Sequence, residues 1–147
     1  MKKLLYTPLL VVLLNSCDTA QKTQSQQDQQ AQSGPCPDKV CTMMFASVPV
    51  KFVNSSGNPA AVKDYRAVNL RTNQDITHKD NDSVYGNYFA VADDSDLKKL
   101  SEAGDNIEVT AIDSASNKKL KAVIKVSGGE CACHVARVAG PEEIMVN

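Results

Sequence analysis

The sequence contains no tryptophan, and its aromatic residues are only four Tyr and three Phe. Stacking platforms for nucleic-acid bases and aromatic sugar clamps are built from such residues, so neither is easily furnished. No sign of charge dominates either: 16 Lys and Arg stand against 17 Asp and Glu, a formal net charge of -1. Such a chain projects no long-range field toward nucleic acid and no polybasic attraction toward anionic lipid. Nucleic acid is therefore not expected as a partner. There is no Gly-x-Ser-x-Gly elbow and no phosphate-binding Gly-rich loop. No carboxylate pair sits in an apolar context that would raise a pKa. These absences favour a non-enzymatic protein with no catalytic residue and no cofactor. Long hydrophobic runs are also missing. The first run spans Leu4 to Leu14 and is interrupted by Thr7 and Pro8; a helix that crosses a bilayer needs about twenty apolar residues.

Cysteine, in contrast, is plentiful, with five in 147 residues. The first, Cys17, closes a patterned N-terminus. Lys2 and Lys3 make a positive start, the Leu4–Leu14 run follows, and polar sequence begins at Asn15. That is the layout of a cleaved export signal, residues 1–16. Leu14-Asn15-Ser16-Cys17 resembles a bacterial lipobox, and Asn at its second position is similar to Bacteroidota-type lipoproteins. The resemblance implies that cleavage falls before Cys17. It also implies acylation of Cys17 on sulfur and amine with palmitate-like chains, hence a membrane anchor. The implied location is the cell envelope, with the outer membrane or cell surface favoured. Loss of Lys2 and Lys3 lowers the 16 basic residues by two against 17 acidic ones, a formal charge near -3.

Residues 17–35 follow as the lipidated Cys and a tether. Asp18 to Pro35 contains seven Gln and no Val, Ile, Leu or aromatic residue. Too little apolar surface is present to offset the entropy of ordering, so a spacer with a mean reach of about 20–25 Å is expected.

Residues 36–147 form the domain. Val48, Val50 and Phe52 alternate with Pro49 and Lys51, in a run that extends back through Ala46 to Met44. Ile107, Val109 and Ala111 alternate with Glu108 and Thr110; Ala122, Ile124 and Val126 alternate with Val123 and Lys125. Period-two patterning with regularly spaced turn signals predicts an all-β sandwich of about seven strands. Residues 106–113 and 118–127 read as one hairpin. Residues 118–127 and 131–138, across Gly128-Gly129, read as a second. Pro49 places the first run at an edge or a bulge. Residues 93–102 read as a short helix, with Asp93, Asp94 and Asp96 as capping residues in preference to cation ligands.

Val50 to Ala60, a strand leading into Ser56-Gly57-Asn58-Pro59, resembles the opening of carboxypeptidase-regulatory-like and transthyretin-like domains. Gly86-Asn87-Tyr88-Phe89-Ala90-Val91 is similar to a later strand of those domains. The resemblance implies a seven-stranded prealbumin-like (Ig-like) sandwich serving as an accessory or adhesion module, with no catalytic residue. A binding or structural role with a protein or glycan partner follows from it.

With Cys17 assigned to lipid, Cys36, Cys41, Cys131 and Cys133 remain, two near each end of the domain. An exported chain favours disulfides. A bridge between Cys131 and Cys133 would strain an extended backbone, so two bridges from the N-terminal arm to the C-terminal strand are expected, in either pairing. The alternative is a soft-metal or thiol-redox site that uses the same four Cys with His134, most simply Cys131, Cys133 and His134. On a strand, however, His134 would face away from the two Cys beside it. His78 is expected to face solvent. Tyr65, Tyr85, Tyr88 and Phe89 are expected in the core rather than in a ligand patch. Asp82-Ser83-Val84 and Asp113-Ser114-Ala115 resemble Bacteroidota O-glycosylation sites, which implies sugars on Ser83 and Ser114.

Overall fold

A computed structural model describes Cys36, residues 39–79 and residues 88–146. The expected signal 1–16, Cys17, the tether to residue 35, Ser83 and Tyr85 lie outside these residues. Among the described residues there are eight strands: β1 (Ser47–Val53), β2 (Val62–Asn69), β3 (Gln74–Asp75), β4 (Tyr88–Asp93), β5 (Asp105–Asp113), β6 (Lys119–Ser127), β7 (Ala136–Ala139) and β8 (Glu143–Met145). They form a three-stranded sheet, β4-β1-β8, and a five-stranded sheet, β3-β2-β5-β6-β7. The all-β, two-sheet expectation is met, with one strand more than expected.

The period-two pattern becomes burial in a direct way. Along β5 every second residue from Asp105 is buried, because successive side chains of a strand point to opposite faces. Phe52, Val50 and Val91 from the smaller sheet and Ile107, Val109, Ile124 and Val126 from the larger one are fully buried. Phe52 meets Phe89 edge-on with ring centroids 5.4 Å apart, and Tyr65 stacks on Phe89 at 4.8 Å. The Tyr65 hydroxyl donates to the Ala90 carbonyl at 3.0 Å, and burial pushes its phenol pKa far up. Tyr65 and Phe89 are thus core residues, whereas Tyr88 is half exposed beside Lys51.

Turn chemistry explains the connections. Asn54 Oδ1 accepts from the Ser56 and Asn58 amides, both at 3.0 Å, which folds the chain between β1 and β2. The predicted hairpin over 106–127 is β5–β6, closed by Asp113 and by Asn117 at a φ of 56°. Gly140, at a φ of 100°, lets the chain reverse from β7 toward β8. A Cβ there would lie 2.7 Å from the Val123 oxygen.

Of the two placements expected for the Pro49 run, the bulge is the one found: the β1–β4 register shifts between Val48 and Pro49, in the central strand of its sheet. The Arg137 guanidinium donates to the Pro49 carbonyl. Three expectations are corrected. Met44 and Phe45 do not belong to β1; they precede it and are exposed. The helix is a 3-10 helix, Asp94–Lys99, shorter than expected. β7 begins at Ala136, so Cys131 and Cys133 lie on the connection that precedes it. The reason is covalent: both residues are bridged to the arm, which pulls 131–135 out of the ladder.

Candidate functional site: the disulfide-clipped arm

The arm that precedes β1 is bound to the C-terminal half of the domain by Cys36–Cys131 and Cys41–Cys133. The Cα–Cα distances are 5.2 and 5.3 Å, within the range that a disulfide spans. This is the arm-to-C-terminus arrangement expected from the Cys spacing, and the structure decides the pairing. The two bridges close overlapping loops that share all but a few residues at each end, with sequence separations of 95 and 92 residues. Chain entropy therefore does not count them equally. Either bridge alone closes a long loop, worth up to about 4–5 kcal/mol. The other then closes only a small ring of about eight residues, worth about 2–3 kcal/mol in the same account.

Each residue that follows the second bridge on either side is also paired. Thr42 Oγ1 and His134 Nε2 lie 2.7 Å apart, and His134 Nδ1 lies 2.8 Å from Asp94 Oδ2. Against a carboxylate Nδ1 must donate, which leaves Nε2 of the neutral ring to accept from the Thr42 hydroxyl. Asp94 in turn accepts from the amides of Ala46 at 2.8 Å and Val135 at 2.9 Å. Burial pushes its carboxyl pKa up, but the Ala46 amide, His134 and the Val135 amide outweigh it, so the net shift is downward. Lys39 Nζ donates to the Cys131 carbonyl at 3.3 Å. Asp94 is thus the point where the arm, the 3-10 helix and the 131–135 connection meet. Its sequence cue pointed to helix capping, and the residue that caps the helix is Asp93.

The order hydroxyl, imidazole, carboxylate is that of a hydrolase triad. Acyl transfer also needs a recess for the acyl group and donors aimed at a developing oxyanion. Thr42 stands exposed on the arm. The contacts satisfy His134 on both nitrogens and tie the arm to the domain. With all four sulfurs in disulfides, Cys131 and Cys133 hold no thiolate for a metal, and His134 is engaged by Thr42 and Asp94.

His78 departs from expectation. It is half buried rather than solvent-facing, with Nε2 2.8 Å from Asp96 Oδ2 and Nδ1 3.4 Å from Asp93 Oδ2. The cause is Asp96, whose side chain is fully buried in the first turn of the 3-10 helix and needs donors. It receives the Asp93 amide at 3.1 Å, Lys99 Nζ at 2.8 Å and His78. Asp93 Oδ1 accepts from the Ser95 amide at 2.8 Å, so Asp93 and Asp96 form a capping box. His78, Asp93 and Asp96 bring ligand-type atoms within 4.8 Å of one another. Yet the carboxylates flank opposite nitrogens of the ring, and Lys99 already supplies Asp96 with a cation. Capping accounts for the cluster.

Ser114 lies exposed in the β5–β6 turn, beside an open depression of about 540 Å³ lined by Asn54, Ala61, Asp113 and Val146 among others. Asp113 itself is buried and committed to the turn, accepting from the Ala115 and Ser116 amides at 3.1 and 2.9 Å. Comparison with protein-family models, with curated proteins and with solved structures returns no match.

Proposed function

We propose that this protein is a lipid-anchored module of the cell envelope, a β-sandwich that acts by binding or by structural support rather than by catalysis. The observation that carries this reading is the parity of the cysteines. Four of the five pair within the domain as two disulfides, and the one left over is Cys17 of the lipobox-like sequence. Disulfides of this kind persist in oxidising compartments, which supports an exported location. No helix among the described residues is long and apolar enough to cross a membrane, and on this reading attachment falls to acyl chains. Two or more chains hold stably, at about 0.8 kcal/mol per buried CH₂.

On this reading the domain belongs with transthyretin-like accessory modules. Its partner is a protein or a glycan, and Ser114 is an exposed acceptor for sugar. Intact-mass analysis of the protein from its native host tests the anchor. The expected mass begins at Cys17 and carries acyl chains, and Cys17→Ala leaves the protein in the soluble fraction. An unacylated mass with full retention of Lys2 and Lys3 would overturn the proposal. The soft-metal alternative requires both bridges to be reduced in the native protein. Unreactive thiols under denaturing, non-reducing conditions, with no bound metal, would remove it.

A further inference from the structure

The geometry points to a second membrane contact: the tip of the arm, Val40, Met43, Met44 and Phe45, is a lipid-facing surface that sits in the interfacial layer of the bilayer. This inference rests on the anchor proposed above.

Four large apolar side chains fall within six consecutive residues and all are exposed: Val40 and Met43 by 103%, Met44 by 75%, Phe45 by 70%. The other exposed large apolar residues, such as Leu70, Val123, Val138 and Met145, occur singly along the chain and are 40–50% exposed. Scattered exposure is ordinary, whereas contiguous exposure marks a contact surface. An unrestrained arm could fold these side chains back onto the domain. This one is prevented from doing so by two disulfides, by Thr42 on His134 and by the Ala46 amide on Asp94. The domain therefore presents the tip to its surroundings.

The occupant follows from where the chain leads. Toward the N-terminus the arm continues through Cys36 into eighteen residues that end at Cys17. An acyl group on Cys17 makes the arm the part of the domain nearest along the chain to the bilayer. From Val40 to Ser47 the sequence has no charged residue, and Asp38 and Lys39 just before it cancel in formal charge. A Met- and Phe-bearing tip without acidic residues suits the headgroup–acyl boundary. Interfacial segments bury their apolar side chains there by about 5–10 Å. Anchor and tip together would hold the domain in one orientation.

The lack of Trp makes the test direct, because a single introduced Trp reports only its own surroundings. The full-length acylated protein, carrying Met44→Trp, is reconstituted into phosphatidylethanolamine–phosphatidylglycerol vesicles. The expected result is blue-shifted emission and about two-fold quenching by lipids brominated near the glycerol end, the depth of interfacial segments. Phe45→Trp provides a second reporter. Met145→Trp is the control. It pairs with Val53 at the opposite end of β1 from the arm, about 20 Å along the strand, and is expected to stay unquenched. Vesicle-bound protein with Met44→Trp and Phe45→Trp unquenched would overturn the tip contact and leave the anchor standing. Equal quenching at Met145→Trp would also overturn it. Protein that lacks acyl mass and does not float with vesicles would sink the anchor, and the tip contact with it.

Discussion

Thr42 and His134 are hydrogen-bonded at 2.7 Å, and the residues immediately before them, Cys41 and Cys133, are joined by a disulfide. Two residues 92 positions apart in sequence are thereby held in register by a covalent and a polar link side by side. The covalent link reduces the entropy cost of forming the polar one, which would otherwise be weak at an exposed position.

This coupling predicts unequal effects of removing the bridges. Cys41→Ala with Cys133→Ala leaves the long loop closed by Cys36–Cys131. The expected loss is about 2–3 kcal/mol from the entropy of the small ring, plus part of the Thr42–His134 bond. Removal of all four Cys is expected to cost more than twice that. Urea denaturation of the two variants under non-reducing conditions checks the difference; equal losses would show that Cys36–Cys131 does not carry the long-loop contribution.

Asp94→Asn tests the junction. The amide retains acceptor capacity but loses the charge that holds His134, the Ala46 amide and the Val135 amide together. A loss of about 1.5–3 kcal/mol is expected, the range for hydrogen bonds to charged groups. Thr42→Val removes one exposed partner and is expected to cost about 1 kcal/mol or less. Should Thr42→Val instead abolish labelling by a serine-hydrolase probe without changing stability, the reading of these contacts as a tie between arm and domain would fail.

Acid stability follows from carboxylates held below their ordinary pKa. Arg71, against Asp105 Oδ1 at 2.6 Å, with Asn69 and Ser101, holds Asp105 well below the usual range. Thr77 and Arg66 lower Asp75 to about 2. Asp94 and Asp96 are also lowered, each against the opposing push of burial. A carboxyl group with a depressed folded pKa contributes stability that is fully present above its unfolded value, near 3.9 for Asp. That contribution is lost as pH falls through the folded value. Unfolding free energy is expected to be flat from neutral pH to about pH 5 and to fall between about pH 4 and pH 2. Asp105→Asn should make the acid limb shallower, as read from urea midpoints across that range.

Gly140→Ala is expected to destabilise by about 1–3 kcal/mol. The new methyl would lie 2.7 Å from the Val123 carbonyl and 2.8 Å from Ile124 Cα, at a φ of 100°. Both neighbours are backbone atoms of β6, so no side chain can yield. Gly57→Ala, at a φ of 77° but with nothing within 4 Å, should cost less. Thermal unfolding of the pair separates backbone strain from steric contact.

The strands were legible because burial in a two-sheet protein alternates by residue. Ile107, Val109 and Ala111 announce β5 with no knowledge of their partners. The bulge at Pro49 was legible too, since a residue without an amide hydrogen cannot sit in a regular ladder. The central place of β1 was not, because β8 pairs with it in parallel from the other end of the domain, and local patterning says nothing about such pairing. The placement of His78 is not legible for a related reason. Its own neighbours are polar, and what half buries it is Asp96, eighteen residues away. Met44 and Phe45 continue the alternation of β1 in sequence, yet the bridge at Cys41 holds them outside the sheet.

Composition and pattern by themselves determined the all-β class, the β5–β6 hairpin, and four domain cysteines that could join its two ends. These follow from local rules: side-chain alternation, turn residues and the count of thiols. Only the tertiary structure decided which cysteines pair, that Asp94 gathers the arm, and that Met43, Met44 and Phe45 are held out toward solvent. Each of those depends on contacts some forty to ninety-five residues apart in sequence. Their formation is set by how the two sheets close on one core, and no local window of sequence contains that information.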